Sequence, residues 1–173
     1  PAPEKIEQIL EQVKREIGLA LSSKQEAAVY ATYRHNLSII TGSPGTGKTT
    51  VLKTILEVYR RLHPQGEIAL MAPTGRASRR MAESTGVDKA KTLHSILGLA
   101  SEEDEIKRNN TQEPLSADLI IVDEFSMVDM WLANKFFSRI KGGARVILVG
   151  DPDQLPSVGA GNVFRELIDC GLI

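Results

Sequence analysis

The chain has 173 residues, 42% of them hydrophobic and 25% charged, with a net charge of −1. That size and balance describe about one domain with a buried core, and they exclude capture of nucleic acid by a bulk basic surface; any such contact must rest on a few Lys, Arg, Ser and Thr side chains and backbone amides. The one cysteine, Cys170, excludes an internal disulfide and a cysteine-cluster metal site and suits a reducing, cytoplasmic setting, while no apolar stretch approaches the ~20 residues that span a bilayer.

Ile6, Ile9, Leu10, Val13 and Ile17 recur at helical spacing from Glu4 to Ile17, and Gly18 stops the run. The charged, amphipathic start reads as a helix rather than a signal peptide. Residues 1–20 are read as an N-terminal helix that caps the domain or belongs to a preceding region, and residues 21–173 as the domain itself. Ser23 followed by Glu26 reads as a capping box for a helix over about Lys24–Arg34. A strand at Leu37–Thr41 and a helix over 48–62 follow, closed by His63-Pro64-Gln65-Gly66. Residues 67–72 are a second strand, and Pro73-Thr74-Gly75 turns into a helix over about Arg76–Ser84. Thr92–Leu97 reads as a short helix and 101–116 as a polar surface loop. Leu119–Val122 is a third strand, followed by a helix over about Val128–Ile140. A Gly142-Gly143 turn leads to a fourth strand, Arg145–Val149, and the last helix covers about Gly161–Cys170. Strands that are apolar throughout and alternate with helices predict an α/β fold, a mainly parallel sheet covered on both faces. Such sheets bind ligands at the carboxyl ends of their strands.

The polar motifs fall at those ends. Gly42-Ser43-Pro44-Gly45-Thr46-Gly47-Lys48-Thr49 completes the phosphate-loop pattern G-x-x-x-x-G-K-[ST] between the first strand and its helix. The glycines let backbone N–H groups approach phosphate oxygens, and the positive end of the helix favours the anion. Lys48 reaches the β- and γ-phosphates and the Thr49 hydroxyl ligates Mg²⁺; Thr50 completes the segment taken as nucleotide-binding. Asp123 and Glu124 end the third strand. Asp123 is placed to hold Mg²⁺ and Glu124 to orient and deprotonate an attacking water; the alternative is a pair of solvated carboxylates. Adjacent residues of a strand face opposite ways, so the turn after Asp123 must bring Glu124 round. Gln154, in Gly150-Asp151-Pro152-Asp153-Gln154, suits a γ-phosphate sensor, against the alternative of a plain turn.

Other positions are less decided. Gln25 has an amide that can pair with an adenine edge, but from its spacing alone an exposed helix glutamine is the stronger reading. Thr74 and Arg76, and likewise Thr92 and His94, form helix starts that fit either a phosphate-backbone contact or an N-cap. Arg79 and Arg80 read as a solvated helix face, and His35 and His63 as loop residues. Trp131, Phe136 and Phe137 read as core or interface.

Taken in order, Gln25, GSPGTGKTT (42–50), APTGRAS (72–78), KTLHSIL (91–97), IVDEFSM (121–127) and VGDPDQLPSVGAGNVF (149–164) resemble superfamily 1 helicases, and most closely the RecD/TraA-like DNA helicases. The resemblance runs from about Leu21 to the end. It implies a RecA-like P-loop fold and ATP with Mg²⁺ as cofactors, with Gln25 reading adenine. Gly42 to Thr50 would hold phosphate, Asp123 and Glu124 would serve as metal ligand and general base, and Gln154 would sense the γ-phosphate. Thr74, Arg76, Thr92 and His94 would face single-stranded DNA, along which the family moves 5′-to-3′. Family motors have two RecA-like domains, the second supplying arginines to the γ-phosphate. The chain stops at Ile173, so it is expected to be the first of the two. Arginine fingers contribute on the order of 10³–10⁵ in rate, or about 4–7 kcal/mol. The isolated chain is therefore expected to bind ATP–Mg²⁺ weakly and to show almost no DNA-stimulated hydrolysis. The competing expectations are another P-loop ATPase, AAA+-like or kinase-like, that does not act on DNA, and a nucleotide-independent binding module. The intact Lys48, Thr49, Asp123, Glu124 and Gln154 argue against the second of these.

Overall fold

A computed structural model describes residues 3–18, 20–42, 47–87, 90–97 and 114–151. In chain order these form α1 (Pro3–Ile17), α2 (Ser23–Arg34), β1 (Leu37–Thr41), α3 (Lys48–Leu62), β2 (Ile68–Ala72), α4 (Gly75–Thr85), β3 (Ala90–Thr92), α5 (Leu93–Leu97), β4 (Leu119–Val122), a 3₁₀ turn at Phe125–Met127, α6 (Met130–Phe137) and β5 (Arg145–Gly150). The five strands make one sheet in the order β1-β5-β4-β2-β3. Every pairing is parallel, so every strand's carboxyl end lies at the same edge.

Alternation along the strands builds a core on each face. Leu70, Leu119, Ile121, Ile147 and Val149 point to one side, where they pack with Ile6 and Leu10 of α1, Val29 and Tyr33 of α2, Ile55 and Leu56 of α3 and Met81 of α4. Met71, Ile120, Val122, Val146 and Leu148 point to the other, against Leu93 of α5, Phe125, and Leu132 and Phe136 of α6. This is the helix-covered parallel sheet that the apolar strands predict. Helix α1 docks on α3 through Ile6, Leu10 and Val13, all buried, so residues 3–17 share the domain's core. Tyr33 fastens α2 to α3: its hydroxyl donates to the Ile55 carbonyl at 2.8 Å, the Arg145 guanidinium lies 5.2 Å from its ring, and burial pushes its phenol well above the usual range.

Several local readings need correction. The capping box of α2 is Ser22 with Gln25, not Ser23 with Glu26: Ser22 Oγ accepts the Gln25 N–H at 3.2 Å and Gln25 Oε1 accepts the Ser22 N–H at 2.9 Å. Residues 90–92 form an edge strand, so the expected helix at 92–97 begins one residue later, at Leu93, capped by the Thr92 hydroxyl on Ser95 N–H at 3.1 Å. The expected helix over 128–140 contracts to 130–137. Asp129 starts it, its carboxylate accepting the Leu132 N–H at 2.8 Å, and Ile140 leaves it to form a parallel bridge with Leu115. Phe136 is fully buried, whereas Trp131 is half exposed, with the Lys135 ammonium 5.9 Å from its ring. The strand at 145 is the fifth, β3 having gone unread, and runs to Gly150. The expected helix over 161–170 and most of the 101–116 loop lie outside the described residues.

Candidate nucleotide cleft

The site forms where β1, β4 and β5 end. Thr41 is in register with Gly150, and the Gly42 N–H donates to the Gly150 carbonyl at 3.3 Å, so the phosphate segment leaves β1 beside the end of β5. Strand β4 lies on the other side of β5, with Val122 in register with Leu148. A cleft of about 470 Å³ opens at this edge, lined by Lys48 and Thr49 of α3, Asp123 and Glu124 after β4, Gly150 and Asp151 after β5, and Arg80 and Ser84 of α4. Four residues singled out from the sequence, Lys48, Thr49, Asp123 and Glu124, thus meet in one cavity.

Helix α3 presents its start to this cavity. Gly47, its N-cap, also lines the cleft and adopts a left-handed backbone (φ 82°, ψ 19°), with no side chain capping the first turn. The N–H groups of that turn have no intrahelical acceptor, and with the helix dipole they make an anion site. A Cβ on residue 47 would overlap Gln25 Nε2, which donates to the Gly47 carbonyl at 3.5 Å. Gln25 is therefore half-buried and engaged rather than free on a helix surface: one end of its amide closes the α2 capping box and the other touches the phosphate segment.

Gly47→Ala is expected to destabilise the fold by about 1–2 kcal/mol, the cost of a left-handed non-glycine residue, plus the overlap with Gln25. In a Gln25→Ala background the overlap disappears and only the backbone cost remains. A double-mutant cycle in urea should therefore show coupling between the two positions; strict additivity would mean that Gln25 does not abut residue 47.

Asp123 and Glu124 face the same cleft through a backbone turn. Glu124 has φ 51° and ψ 38°, and among the described residues it alone is a non-glycine residue with positive φ. Its N–H donates to Asp123 Oδ1 at 2.8 Å, and the Asp123 N–H donates to the Met71 carbonyl at 2.9 Å. The left-handed step turns the chain as it leaves β4, and Asp123 and Glu124, adjacent in sequence, both line the cleft. Among the described residues no group of three or more acidic, His or Cys side chains gathers to hold a metal. Thr49 and Asp123 supply the sparse oxygen set that suits Mg²⁺, which is held by one or two side chains together with substrate phosphates. The Ser126 hydroxyl, just beyond Glu124, is buried with no partner among the described residues.

Thr50 lies on the first turn of α3 outside the set lining the cleft; its carbonyl accepts from Thr54 Oγ1 at 2.8 Å. Ser43, Pro44, Gly45, Thr46 and Gln154 lie outside the described residues. Thr74 and Thr92 both serve as N-caps, Thr74 Oγ1 accepting the Ala77 N–H at 3.2 Å. Ala72 and Thr92 are register partners, so the starts of α4 and α5 sit side by side at the same sheet edge, with Arg76 and His94 exposed. Arg79 and Arg80 are both exposed, as expected of a solvated helix face, and Arg80 in addition lines the cleft, whereas Arg79 is not among its walls. Sequence reasoning also missed Ser84, Leu52 and the buried Asp151. The spacing of Arg76, Arg80 and Ser84, four residues apart on one helical stripe, is the signal that linked two of them to a common face.

The AAA domain family model matches residues 25–160. The chain is 43% identical over 141 residues to the ATP-dependent RecD2 DNA helicase of Deinococcus radiodurans, covering 82% of this chain and 19% of that protein. It is 39% identical over 164 residues to the RecBCD enzyme subunit RecD of Haemophilus influenzae, covering 83% of this chain and 26% of that one. Among solved structures, the Pif1 helicase of Candida albicans superposes with a TM-score of 0.58 at 33% identity, over 82% of this chain and 34% of that one. The chain thus spans about a fifth to a quarter of the length of these two curated relatives.

Proposed function

The chain belongs to the AAA domain family, as a RecD-like motor domain of superfamily 1, and from that premise we propose that it binds ATP with Mg²⁺ and couples hydrolysis to movement on single-stranded DNA. The observation that carries this reading is the convergence of Lys48, Thr49, Asp123 and Glu124 on one cleft, at the sheet edge where Arg76 and His94 are exposed. Lys48 and the open first turn of α3 hold the phosphates. Thr49 and Asp123 would hold Mg²⁺, which when bound offsets the charge of the phosphate oxygens. Glu124 accepts a proton from the attacking water, and Gln154 senses the γ-phosphate. In reading adenine, Gln25 would exchange its contact with Gly47 for the base.

Movement in the 5′-to-3′ direction belongs to the same proposal, carried by the resemblance to RecD/TraA-like helicases. So does a second RecA-like domain as the partner that closes the cleft. Because the chain corresponds to so small a share of its relatives, the isolated polypeptide is proposed to bind ATP–Mg²⁺ weakly and to show almost no DNA-stimulated hydrolysis.

Two titrations test the reading: a fluorescent ATP analogue with Mg²⁺, and a labelled oligo(dT) at low salt. Saturable binding of both is expected, each ligand shifting the affinity for the other by the same factor, as linkage requires. Nucleotide binding with no oligo(dT) binding would replace the motor with another P-loop ATPase, AAA+-like or kinase-like, that does not act on DNA. Robust unwinding by the isolated chain would overturn its proposed dependence on a second domain.

A further inference from the structure

Helix α4 has a cation in the cleft that no motif assigned to it. Arg80 and Ser84 line the cavity together with Lys48, Thr49, Asp123 and Glu124. Lys48 approaches from α3 and Arg80 from α4, two different walls packed against one another. Among the described residues the exposed Arg80 guanidinium makes no hydrogen bond and no ion pair, with Asp123, Glu124 or Asp151 of the cleft or with any other residue. Its backbone is fixed all the same. Thr74 caps the start of α4, a left-handed Gly86 (φ 69°) ends it, and Ala77, Ser78, Met81 and Thr85 are buried beneath it. A guanidinium on a fixed helix, unpaired beside a phosphate-binding turn, is suited to an anion with two free oxygens, because its planar fork donates to both at once.

We propose that Arg80 is a second phosphate-binding side chain of the nucleotide cleft, contacting the terminal phosphate of the triphosphate from the α4 wall. This rests on the nucleotide reading above and goes beyond it by naming a residue that separates triphosphate from diphosphate. The first turn of α3 serves the phosphates that both nucleotides share and Lys48 spans the β- and γ-phosphates; Arg80 adds a contact to the one that only the triphosphate has. The same helix starts at Thr74 and Arg76, one turn away along the stripe, so a change of phosphate at Arg80 acts on the element that carries the candidate DNA contacts.

The test compares the parent chain with Arg80→Gln, Arg80→Lys and, as a control, Arg79→Gln. Arg79 carries the same charge on the same helix, is exposed, and is not a wall of the cleft. Calorimetric titrations use a non-hydrolysable Mg–ATP analogue and Mg–ADP, with unchanged thermal midpoints confirming that each variant is folded. Loss of a charge-assisted contact should weaken the triphosphate analogue about 10-fold or more in Arg80→Gln, with Mg–ADP changed less than about 2-fold. Arg80→Lys, which keeps a point charge, should regain part of the preference, and Arg79→Gln should alter neither affinity. Equal affinities in Arg80→Gln and the parent, or equal losses for both nucleotides, would overturn the assignment while leaving the nucleotide cleft standing. A parent chain that binds neither nucleotide would overturn both.

Discussion

Replacing Glu124 with Gln is expected to leave Mg–ATP binding intact and to cut hydrolysis by about 10²–10⁴-fold, the usual contribution of a positioned general base. The two side chains are nearly isosteric and both accept hydrogen bonds, so the cleft keeps its shape and its reach for water. What the amide cannot do at neutral pH is take a proton. The prediction is specific to Glu124 because this residue, in left-handed backbone, lines the cleft together with Asp123. Asp123 accepts the Glu124 N–H and so helps to hold the turn, whereas no described side chain bonds the Glu124 carboxylate. The measurement is phosphate release with the protein in excess over labelled ATP, followed long enough to record a slow parent rate, next to analogue binding in both proteins. A Glu124→Gln chain that hydrolyses like the parent would remove the residue from the chemistry. One that loses binding as well would make its role structural.

Lys48→Ala is expected to act on the other half of the cycle, weakening binding of the Mg–ATP analogue by about 10–150-fold, the equivalent of 1.5–3 kcal/mol for one charge-assisted contact. Lys48 is the first residue of α3 and projects beside N–H groups that nothing in the helix satisfies. The variant keeps that open turn, so some phosphate affinity should remain. Its fold should be unaffected, because the Lys48 ammonium makes no contact among the described residues that holds the domain together. Oligo(dT) binding should survive, since Arg76 and His94 stand on other helices. Unchanged analogue affinity would mean that the nucleotide does not lie along α3.

The contrast between Glu124 and Arg80 shows what the sequence can and cannot carry. The strand at Leu37–Thr41 and the helix at Lys48–Leu62 were legible because an apolar run, glycines and helical periodicity succeed one another at those boundaries. The convergence of Lys48 with Asp123 and Glu124 followed from parallel strands, whose ends share an edge. Even the reversal at Glu124 could be stated beforehand, since two neighbours on a strand cannot otherwise face one cavity. Arg80 was not legible: periodicity places it on a stripe with Ser84 but does not say what stands opposite, and that is decided by the packing of α4 on α3. Strand β3 was missed for a similar reason. Ala90-Lys91-Thr92 has no apolar pattern of its own, and its extended form comes from pairing with Leu70–Ala72. The capping box was misplaced by one residue because Ser22/Gln25 and Ser23/Glu26 fit the same pattern. Burial of Val29, Thr32 and Tyr33 on one side of α2 sets the helix rotation with Ser22 as cap.

Glu124 also sits at odds with the economy of the rest of the domain. A glutamate in left-handed backbone costs about 1–2 kcal/mol that glycine would not, so this residue holds its place against thermodynamic preference. A glycine there should give a firmer, more heat-resistant protein that lacks the carboxylate proposed as the general base. Directed evolution for thermostability alone would drift toward that change, and a screen that never assays turnover would record it as an improvement.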